Sequence, residues 1–321
     1  MGKSNKLYTQ QLYLFMALDP VHIGTGQSQL GRVDNTIVRE PGTNLPKIPG
    51  TSLMGAARHY ASMKYGKPEA AGQHKNLKAK DPKKCPIIYT FGTYTETEGG
   101  QQGKISISDA QILLFPVNSI AGPLWVSTKE VLEIAGFSIP DTVELSDESV
   151  FTSVNWEKDT LNLGWLSLKA VTGLKITPPD VIKENNKWNS IANRLSIVSS
   201  KLFSQIVNSN LEVRTSVAIN PETGAAEDKA LFTYEAIPRT TWLFFDVVQD
   251  DYMSKFPVTD KQFKGETENI GDSLGETWDS PMDVLNAGFH LIEYLGIGGM
   301  ITRGFGRMKQ ICSWEVCENE S

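Results

Sequence analysis

The apolar positions along the chain fall into runs with the spacing of buried strands and amphipathic helices. Residues 11–20 (QLYLFMALDP) are apolar on both faces of a strand and end at Asp-Pro, which predicts a strand that is buried on both sides. Residues 51–65 carry apolar side chains at helical spacing, and Thr51 is a residue type that caps helices. Residues 282–296 (MDVLNAGFHLIEYLG) predict a second amphipathic helix, with Gly296 where helices commonly end.

Other apolar runs predict strands between and after these helices. Residues 104–117 predict one or two strands, residues 240–248 (TTWLFFDVV) a further strand, and residues 306–316 the last one. Residues 194–210 predict a short strand and then a helix that is capped by Ser199. Alternating residues on both sides of the turn NPETG predict a β-hairpin.

The order of these elements predicts the α+β class. Strand, helix, strands, helix, strand is the order of the ferredoxin-like, RRM-like βαββαβ core. The length allows one large domain or two modest ones, and we expect one domain over residues 1–321. The expected insertions are a basic segment at 64–100, a segment at 138–190 that is irregular except for one strand at 164–171, a projecting hairpin thumb at 211–236 and an acidic segment at 250–280.

Composition and charge argue against some classes of protein, such as membrane proteins. The chain of 321 residues has a net charge of −6, which argues against a generic nucleic-acid binder, although residues 64–84 hold seven lysines. No apolar run is long enough to span a membrane, and no membrane partner is expected. Three cysteines without a CxxC pair favour a reducing, cytoplasmic location. The tryptophans in strand-like runs are predicted to lie in the core, namely Trp125, Trp165, Trp242 and Trp314.

A glycine-rich stretch precedes the last predicted strand. Residues 296–308 (GIGGMITRGFGRM) hold five glycines and two arginines. The spacing differs from a dinucleotide fingerprint, and the flanks are reversed because a helix precedes the stretch and a strand follows it. No Gly-Lys-Ser/Thr follows as in a phosphate-binding P-loop. What remains is a loop whose backbone N–H groups, with Arg303 and Arg307, suit the approach of a sugar–phosphate strand.

Five segments in a fixed order resemble one known family. They are PVHIGTGQSQLGRVDNTIVRE, PKIPGTSLMGAAR, ISISDAQILLFPV, INPETGAAEDKALFTYEAIP and IEYLGIGGMITRGFGRM. Together they span residues 20–308 and resemble the RAMP superfamily of CRISPR proteins, in particular the backbone subunit of Cmr-type (type III-B) effector complexes. The resemblance implies a subunit that stacks with copies of itself along a guide RNA, pairs that guide with target RNA, and contacts other subunits of the complex.

The resemblance also implies an RNA-binding surface. The start of the first helix would receive guide phosphates, since the N–H groups of a helix N-terminus favour anions. The hairpin would act as the family's thumb, with Ile219, Leu231 and Phe232 able to wedge into a stack of bases. The residues expected to bind RNA are Lys47, Thr51, Ser52, Arg58, Gly298, Gly299, Arg303, Gly304 and Arg307.

For catalysis, the resemblance implies cleavage of the target RNA at Asp34. The expected reaction is attack of a ribose 2′-hydroxyl on the adjacent phosphorus, which yields a 2′,3′-cyclic phosphate and a 5′-hydroxyl. Asp34 would hold a divalent cation, Mg²⁺ or Mn²⁺, or orient the 2′-hydroxyl, because a carboxylate of ordinary pKa is a weak base. His22 and Glu235 are expected to assist, and no organic cofactor is expected.

Three other functions remain open at this point. The chain could be the backbone subunit of a type III-A complex, a filament subunit without nuclease activity, or a RAMP-type endonuclease that processes guide-RNA precursors. The presence of Asp34 favours a cleaving subunit over a purely structural one. A precursor-processing enzyme would need a catalytic histidine near the first helix, and His59 is the candidate.

Overall fold

The computed structural model of the chain describes residues 7–28, 33–72, 85–95, 99–140, 145–251, 255–257 and 278–316. Most of the lysine-rich run at 64–84 and most of the acidic segment at 250–280 therefore lie outside the described residues. None of the described helices is long and apolar enough to cross a membrane.

Sixteen strands are defined in the described part of the chain. In chain order they are β1 (Thr9–Ala17), β2 (Gly24–Ser28), β3 (Asn35–Ile37), β4 (Thr93–Thr95), β5 (Gly99–Gln101), β6 (Ile105–Ile107), β7 (Gln111–Val117), β8 (Leu124–Ser127), β9 (Ser149–Thr152), β10 (Thr160–Leu163), β11 (Leu166–Thr172), β12 (Leu195–Ile197), β13 (Glu212–Ile219), β14 (Ala226–Ala236), β15 (Trp242–Gln249) and β16 (Met308–Glu315).

Seven α-helices accompany the strands in the same described residues. They are α1 (Gly50–Lys64), α2 (Pro86–Phe91), α3 (Lys129–Ile134), α4 (Asp180–Lys183), α5 (Asn186–Ile191), α6 (Ser200–Ser209) and α7 (Pro281–Leu295). Short 3₁₀ turns occur at Pro68–Ala71, Ala192–Arg194 and Ile301–Arg303.

The predicted ferredoxin-like core is confirmed by the central sheet. Strands β16, β1, β15 and β7 lie side by side in this order, and every neighbouring pair is antiparallel. Helices α1 and α7 pack on each other beside this sheet, which gives the chain order β1, α1, β7, β15, α7, β16. Beyond β7 the sheet continues through β8, β12, β9, β11 and β10.

Strand β1 is buried on both faces, as its sequence predicts. Tyr13 and Phe15 face the helices, where each ring packs edge-on against Phe289 of α7 at centroid distances of 5.4 and 5.3 Å. Leu12 and Leu14 point to the other face and join a second apolar cluster. The chain therefore needs apolar layers on both sides of the sheet, and residues after β7 supply the second one.

Helices α1 and α7 meet at a glycine. A β-carbon on Gly288 of α7 would lie 2.8 Å from Cα of Ala57 in α1, and closer still to its carbonyl oxygen. The two backbones thus touch where a side chain would separate them. Nothing in the local pattern of either helix indicates this contact.

We expect Gly288→Ala to lower the free energy of unfolding by about 1–3 kcal/mol, because the helices must move apart and the core must repack. Gly55→Ala is the matched control in α1, since a β-carbon there meets nothing within 4 Å. The control should raise the free energy of unfolding by about 0.5–1 kcal/mol, through better helix propensity. Chemical denaturation of the two variants measures the difference, and equal values would contradict the close contact.

Several predictions for single segments are wrong. Helix α1 begins at Gly50 with Pro49 as its N-cap, so Thr51 lies inside the helix. The strand predicted at 164–171 is present as β11, but the segment 138–190 also holds β9, β10 and two short helices. Strand β9 pairs with β11 and β12, which a local pattern does not show. Trp165 is 73% exposed at a turn between β10 and β11, so it is not a core residue.

Candidate functional site

A second, four-stranded sheet builds the candidate site. Its order is β13, β14, β3, β2, so the predicted hairpin pairs with the extended pieces of the long segment that precedes α1. Tyr234 of β14 pairs with Asn35, the first residue of β3. This pairing brings Asp34, directly before β3, to the side of the hairpin.

Asp34 is exposed and its carboxylate is held by one neighbour. The backbone N–H and the hydroxyl of Thr233 each donate to Oδ2 of Asp34 at 2.8 Å, and the N–H of Asp34 donates to the Thr233 hydroxyl oxygen at 2.9 Å. These hydrogen bonds lower the pKa of Asp34 below its ordinary value of 3.8, with the bond from the Thr233 backbone contributing most. The carboxylate is therefore ionised at neutral pH.

His22 lies beneath this surface, where its side chain is buried. Its Nδ1 is 2.6 Å from the carbonyl oxygen of Glu235. A carbonyl oxygen only accepts, so Nδ1 carries the hydrogen. The ring meets Tyr234 edge-on at 6.3 Å, and the His22 carbonyl accepts from the N–H of Gly299 at 2.9 Å. His22 thus connects the hairpin to the glycine-rich loop.

Glu235 is buried and paired with an arginine that sequence reasoning missed. Its Oε1 is 2.6 Å from a guanidinium nitrogen of Arg39, and its Oε2 accepts from the N–H of Ile37 at 3.2 Å. Arg39 also donates to the carbonyl of Ile37 and to Asn208 of α6. The pair fixes β3 between the hairpin and α6. The local sequence does not indicate the role of Arg39, because the two side chains that it contacts are 169 and 196 residues away.

The glycine-rich loop packs against the segment before β2, and its tip at residues 301–304 is exposed. Gly298 has φ of +84° and Gly306 has φ of +91°, and a β-carbon at either would collide with backbone oxygens of His22 or Ile297. The N–H groups of Gly299 and Gly304 donate within the chain, to His22 and Ile301. The expectation of free amides is therefore wrong for these two glycines, and what the loop offers is close approach of its exposed tip.

The two arginines of the loop are in different situations. Arg303 donates to the hydroxyl of Tyr234 at 2.7 Å, and no carboxylate lies in ion-pair range of it among the described residues. Arg307 binds both carboxylate oxygens of Asp19, at 2.5 and 3.1 Å. Arg303 keeps its net charge for a ligand, whereas the charge of Arg307 is compensated.

The start of α1 differs from the predicted phosphate site. Lys47 lies between the carboxylates of Glu40 and Asp109, at 2.7 Å from each. Asp109 also accepts from the first helical N–H, that of Gly50, at 2.8 Å. Lys47 and then this N–H lower the pKa of Asp109. An acidic side chain of the protein thus occupies part of the position that was expected to attract phosphate.

The other residues predicted to bind RNA at this helix lie at different positions along it. Thr51 is exposed on the first turn, and Ser52 is half-buried with its N–H donating to Pro49. Arg58 donates to the carbonyl of Ala70 at 2.7 Å and is seven residues further along the helix than Thr51, about 10 Å. Arg58 is therefore too far from the first turn to join a phosphate site there, and its guanidinium holds the 3₁₀ turn that follows the helix.

The hairpin carries exposed apolar side chains on both faces. Leu231 and Ile219 are 62% and 61% exposed, and Phe232 is 45% exposed. Leu231 lies opposite Val217 and on the same face as Thr233, while Phe232 points to the other face. The three predicted thumb residues therefore do not form one cluster, and the face shared with Asp34 carries Leu231.

Comparison with known proteins identifies the family of the chain. The RAMP superfamily model matches residues 14–309, which is most of the chain. The chain belongs to the RAMP superfamily. This RAMP protein is 30% identical over 320 residues to the CRISPR system Cmr endoribonuclease Cmr4 of Pyrococcus furiosus, and the match covers 95% of each chain.

Two solved structures share the fold of this RAMP protein. Oligomeric Cmr4 from Pyrococcus furiosus, in a crystal structure, aligns with a TM-score of 0.57 at 21% identity and covers 97% of this chain and 99% of that one. A chain in a cryo-EM structure of the type III-B Cmr-beta bound to cognate target RNA aligns with a TM-score of 0.59 at 14% identity, over 95% and 99%. Both likenesses are evidence for the fold.

The predicted site residues of this RAMP protein therefore form two groups. His22, Asp34, Glu235 and the glycine-rich loop with Arg303 meet where the hairpin joins the body. The residues at the start of α1 form the second group, and they share no hydrogen bond with the first among the described residues. The described residues also contain no group of three or more His, Cys, Asp or Glu side chains that could hold a metal ion.

Proposed function

We propose that this chain is the backbone subunit of a cytoplasmic type III-B CRISPR interference complex, where it binds guide RNA and cleaves guide-paired target RNA at Asp34. Its partners would be guide RNA, target RNA, further copies of itself and other subunits of the complex. The observation that carries the choice of Asp34 is its exposed, ionised carboxylate, fixed at the base of a projecting hairpin and on the same sheet as the buried His22–Glu235 contact. The match to an endoribonuclease over 95% of both chains supports the activity.

The reaction that fits is attack of a ribose 2′-hydroxyl on the adjacent phosphorus. Nucleophile and phosphorus belong to one nucleotide, so the barrier depends on the alignment of the attacking and leaving oxygens. A carboxylate of lowered pKa is a poor proton acceptor but a good hydrogen-bond acceptor for the 2′-hydroxyl. Asp34 would hold this hydroxyl in line. A P–O2′ bond would form as the P–O5′ bond breaks, with the 2′-hydroxyl proton lost to water and the 5′-oxygen protonated from water, which gives a 2′,3′-cyclic phosphate and a 5′-hydroxyl.

A divalent cation, Mg²⁺ or Mn²⁺, fits the same carboxylate. Oδ2 of Asp34 accepts both hydrogen bonds from Thr233, whereas Oδ1 accepts from none of the other described residues, and the residue as a whole is exposed. A single carboxylate together with substrate phosphates is a common way for proteins to hold Mg²⁺. When bound, the cation would neutralise charge that develops on the phosphate oxygens. No organic cofactor is part of the proposal.

His22 and Glu235 fit a supporting role better than direct catalysis. Both side chains are buried, and their hydrogen bonds go to the chain itself. They hold the hairpin, β3 and the glycine-rich loop together, so they would act on the reaction through the position of Asp34. The exposed Leu231, on the same face of the hairpin as Thr233, would enter the base stack and free the backbone for in-line attack.

The proposal is tested with the complex purified from cells that carry its guide locus. The bound RNA is sized and sequenced, and the complex is then given labelled complementary target RNA and guide precursors separately. We expect guides with a constant 5′ tag, cuts in the paired target, and 2′,3′-cyclic phosphate ends. Cleavage of precursors alone would instead assign the chain to guide processing, and an intact target would reduce it to a structural subunit.

Arg303 and Lys47 allow a test of the RNA-binding surface. We expect Arg303→Ala to weaken binding of guide RNA and to reduce the slope of log affinity against log salt by about 0.7, because one phosphate contact of a single strand is lost. Lys47→Ala should leave the slope unchanged, since Lys47 is already paired with two carboxylates. Binding measured at several salt concentrations decides this, and a larger change for Lys47→Ala would contradict the assignment.

A further inference from the structure

We propose that Thr233 is the positioning residue for Asp34, which fixes one carboxylate oxygen against the hairpin and turns the other toward the RNA. This inference rests on the proposed function, because it concerns the same cleavage site. It goes beyond it in naming what orients the carboxylate.

The contact between the two residues runs in both directions. The Thr233 hydroxyl donates to Oδ2 of Asp34 and accepts from the N–H of Asp34, and the Thr233 N–H donates to the same Oδ2. A hydroxyl side chain can donate and accept at once, which a valine or alanine cannot do. Rotation of the Asp34 side chain would break two of these three hydrogen bonds.

Thr233 is the only other residue that hydrogen-bonds to the Asp34 carboxylate within the described part of the chain. An exposed aspartate held by water alone would populate several rotamers. Here the hairpin selects one of them. Oδ1 of this exposed residue keeps no hydrogen bond to another described residue, so the two oxygens of one carboxylate can have separate tasks.

The sheet holds Thr233 in turn. Thr233 pairs with Thr215 across the hairpin, and the next residue, Tyr234, pairs with Asn35. The hydroxyl is therefore fixed relative to both β13 and β3. Any displacement of the hairpin along β3 would move Oδ1 of Asp34, which connects the placement of the thumb to the placement of the reacting group.

The simpler interpretation is that the contact only closes the edge of the sheet. Thr233→Val distinguishes this interpretation from a positioning role. Valine keeps the shape of the side chain and the hydrogen bond from the backbone N–H, and it removes both hydrogen bonds of the hydroxyl. Thr233→Ser keeps the hydroxyl. Thr215→Val makes the same chemical change at the exposed residue directly opposite, and it is the matched control.

The experiment uses complexes assembled with each variant and their guide RNA. Single-turnover cleavage and target affinity are measured separately, with thermal melting and guide content as checks of folding. We expect Thr233→Val to slow cleavage by roughly ten- to a hundredfold, the range that a misplacement near 1 Å produces. Target affinity should stay unchanged within about twofold, Thr233→Ser should restore the rate to within about threefold, and Thr215→Val should match the unaltered complex.

Three results would overturn the inference: a normal rate for Thr233→Val, a serine variant as slow as the valine variant, or a loss of affinity that accounts for the loss of rate. Asp34→Ala in the same series separates this inference from the proposed function. If Asp34→Ala cleaves normally, the assignment of Asp34 itself is wrong. If Asp34→Ala is inactive and Thr233→Val is normal, only the positioning role fails.

Discussion

Replacing Asp34 with alanine is expected to slow target cleavage by at least about a hundredfold while the complex still assembles on guide RNA. The carboxylate is exposed, and its only hydrogen bonds to another described residue are those with Thr233, so little stability depends on it. The loss therefore concerns the reaction. Cleavage under single-turnover conditions and the guide RNA content of the same preparation measure the two effects.

Asp147 supplies a matched control for this variant. It is also an exposed aspartate with a lowered pKa, chiefly through the hydroxyl of Ser199 and then Lys201. Asp147→Ala should leave cleavage unchanged, because this carboxylate lies near the start of α6 and away from the hairpin. Equal losses for both variants would mean that the effect arises from general charge or assembly.

The pH dependence follows from the direction of the Asp34 pKa. Hydrogen bonds from Thr233 lower it below 3.8, so the carboxylate is ionised at every pH above about 5. Protonation of Asp34 can then limit the rate only in more acidic solution. Asp34→Asn should be slow at all pH values between about 5 and 9, with no recovery on either side. Recovery toward the rate of the unaltered complex within this range would contradict an essential ionised carboxylate.

The parts of the fold that were predictable depend on local patterns. Strand β1 is apolar on both faces because both faces are buried, and the helix after Ser199 begins there because its hydroxyl accepts from the N–H of Leu202. The predictions that were wrong depend on contacts between residues far apart in the sequence. Asp109, rather than Thr51, supplies the side-chain oxygen at the start of α1, and it lies 59 residues beyond the N–H that it accepts from.

The candidate site also contains residues that the sequence indicated and residues that only the structure shows. Asp34, His22 and Glu235 were named from a family resemblance, and the fold brings them to one junction. Thr233 and Arg39 were not named, although they make the most direct contacts with two of these residues. Each contact joins positions almost 200 residues apart, so only the paired sheet reveals it.

The largest effect on stability is expected from Arg39→Ala, at about 2–4 kcal/mol, which is less than the loss for a fully buried ion pair because the Arg39 side chain is 21% exposed. The change leaves the buried Glu235 carboxylate with the N–H of Ile37 as its remaining partner, and it frees β3 from α6. Chemical denaturation measures the loss. Faster hydrogen exchange at the Ile37 N–H should show that the loss of structure begins at β3.

Arg307→Ala is the control, since its ion pair with Asp19 lies at the surface and such pairs contribute about 0–1 kcal/mol. A double variant, Arg39→Met with Glu235→Met, should recover part of the stability that Arg39→Ala loses, because no buried charge is then left alone. It should not recover cleavage, because the register of β3 against the hairpin, which sets the position of Asp34, depends on this pair. If Arg39→Ala costs no more than Arg307→Ala, Glu235 is not held as a buried carboxylate, and the hairpin is fixed to the body by its strand pairing alone.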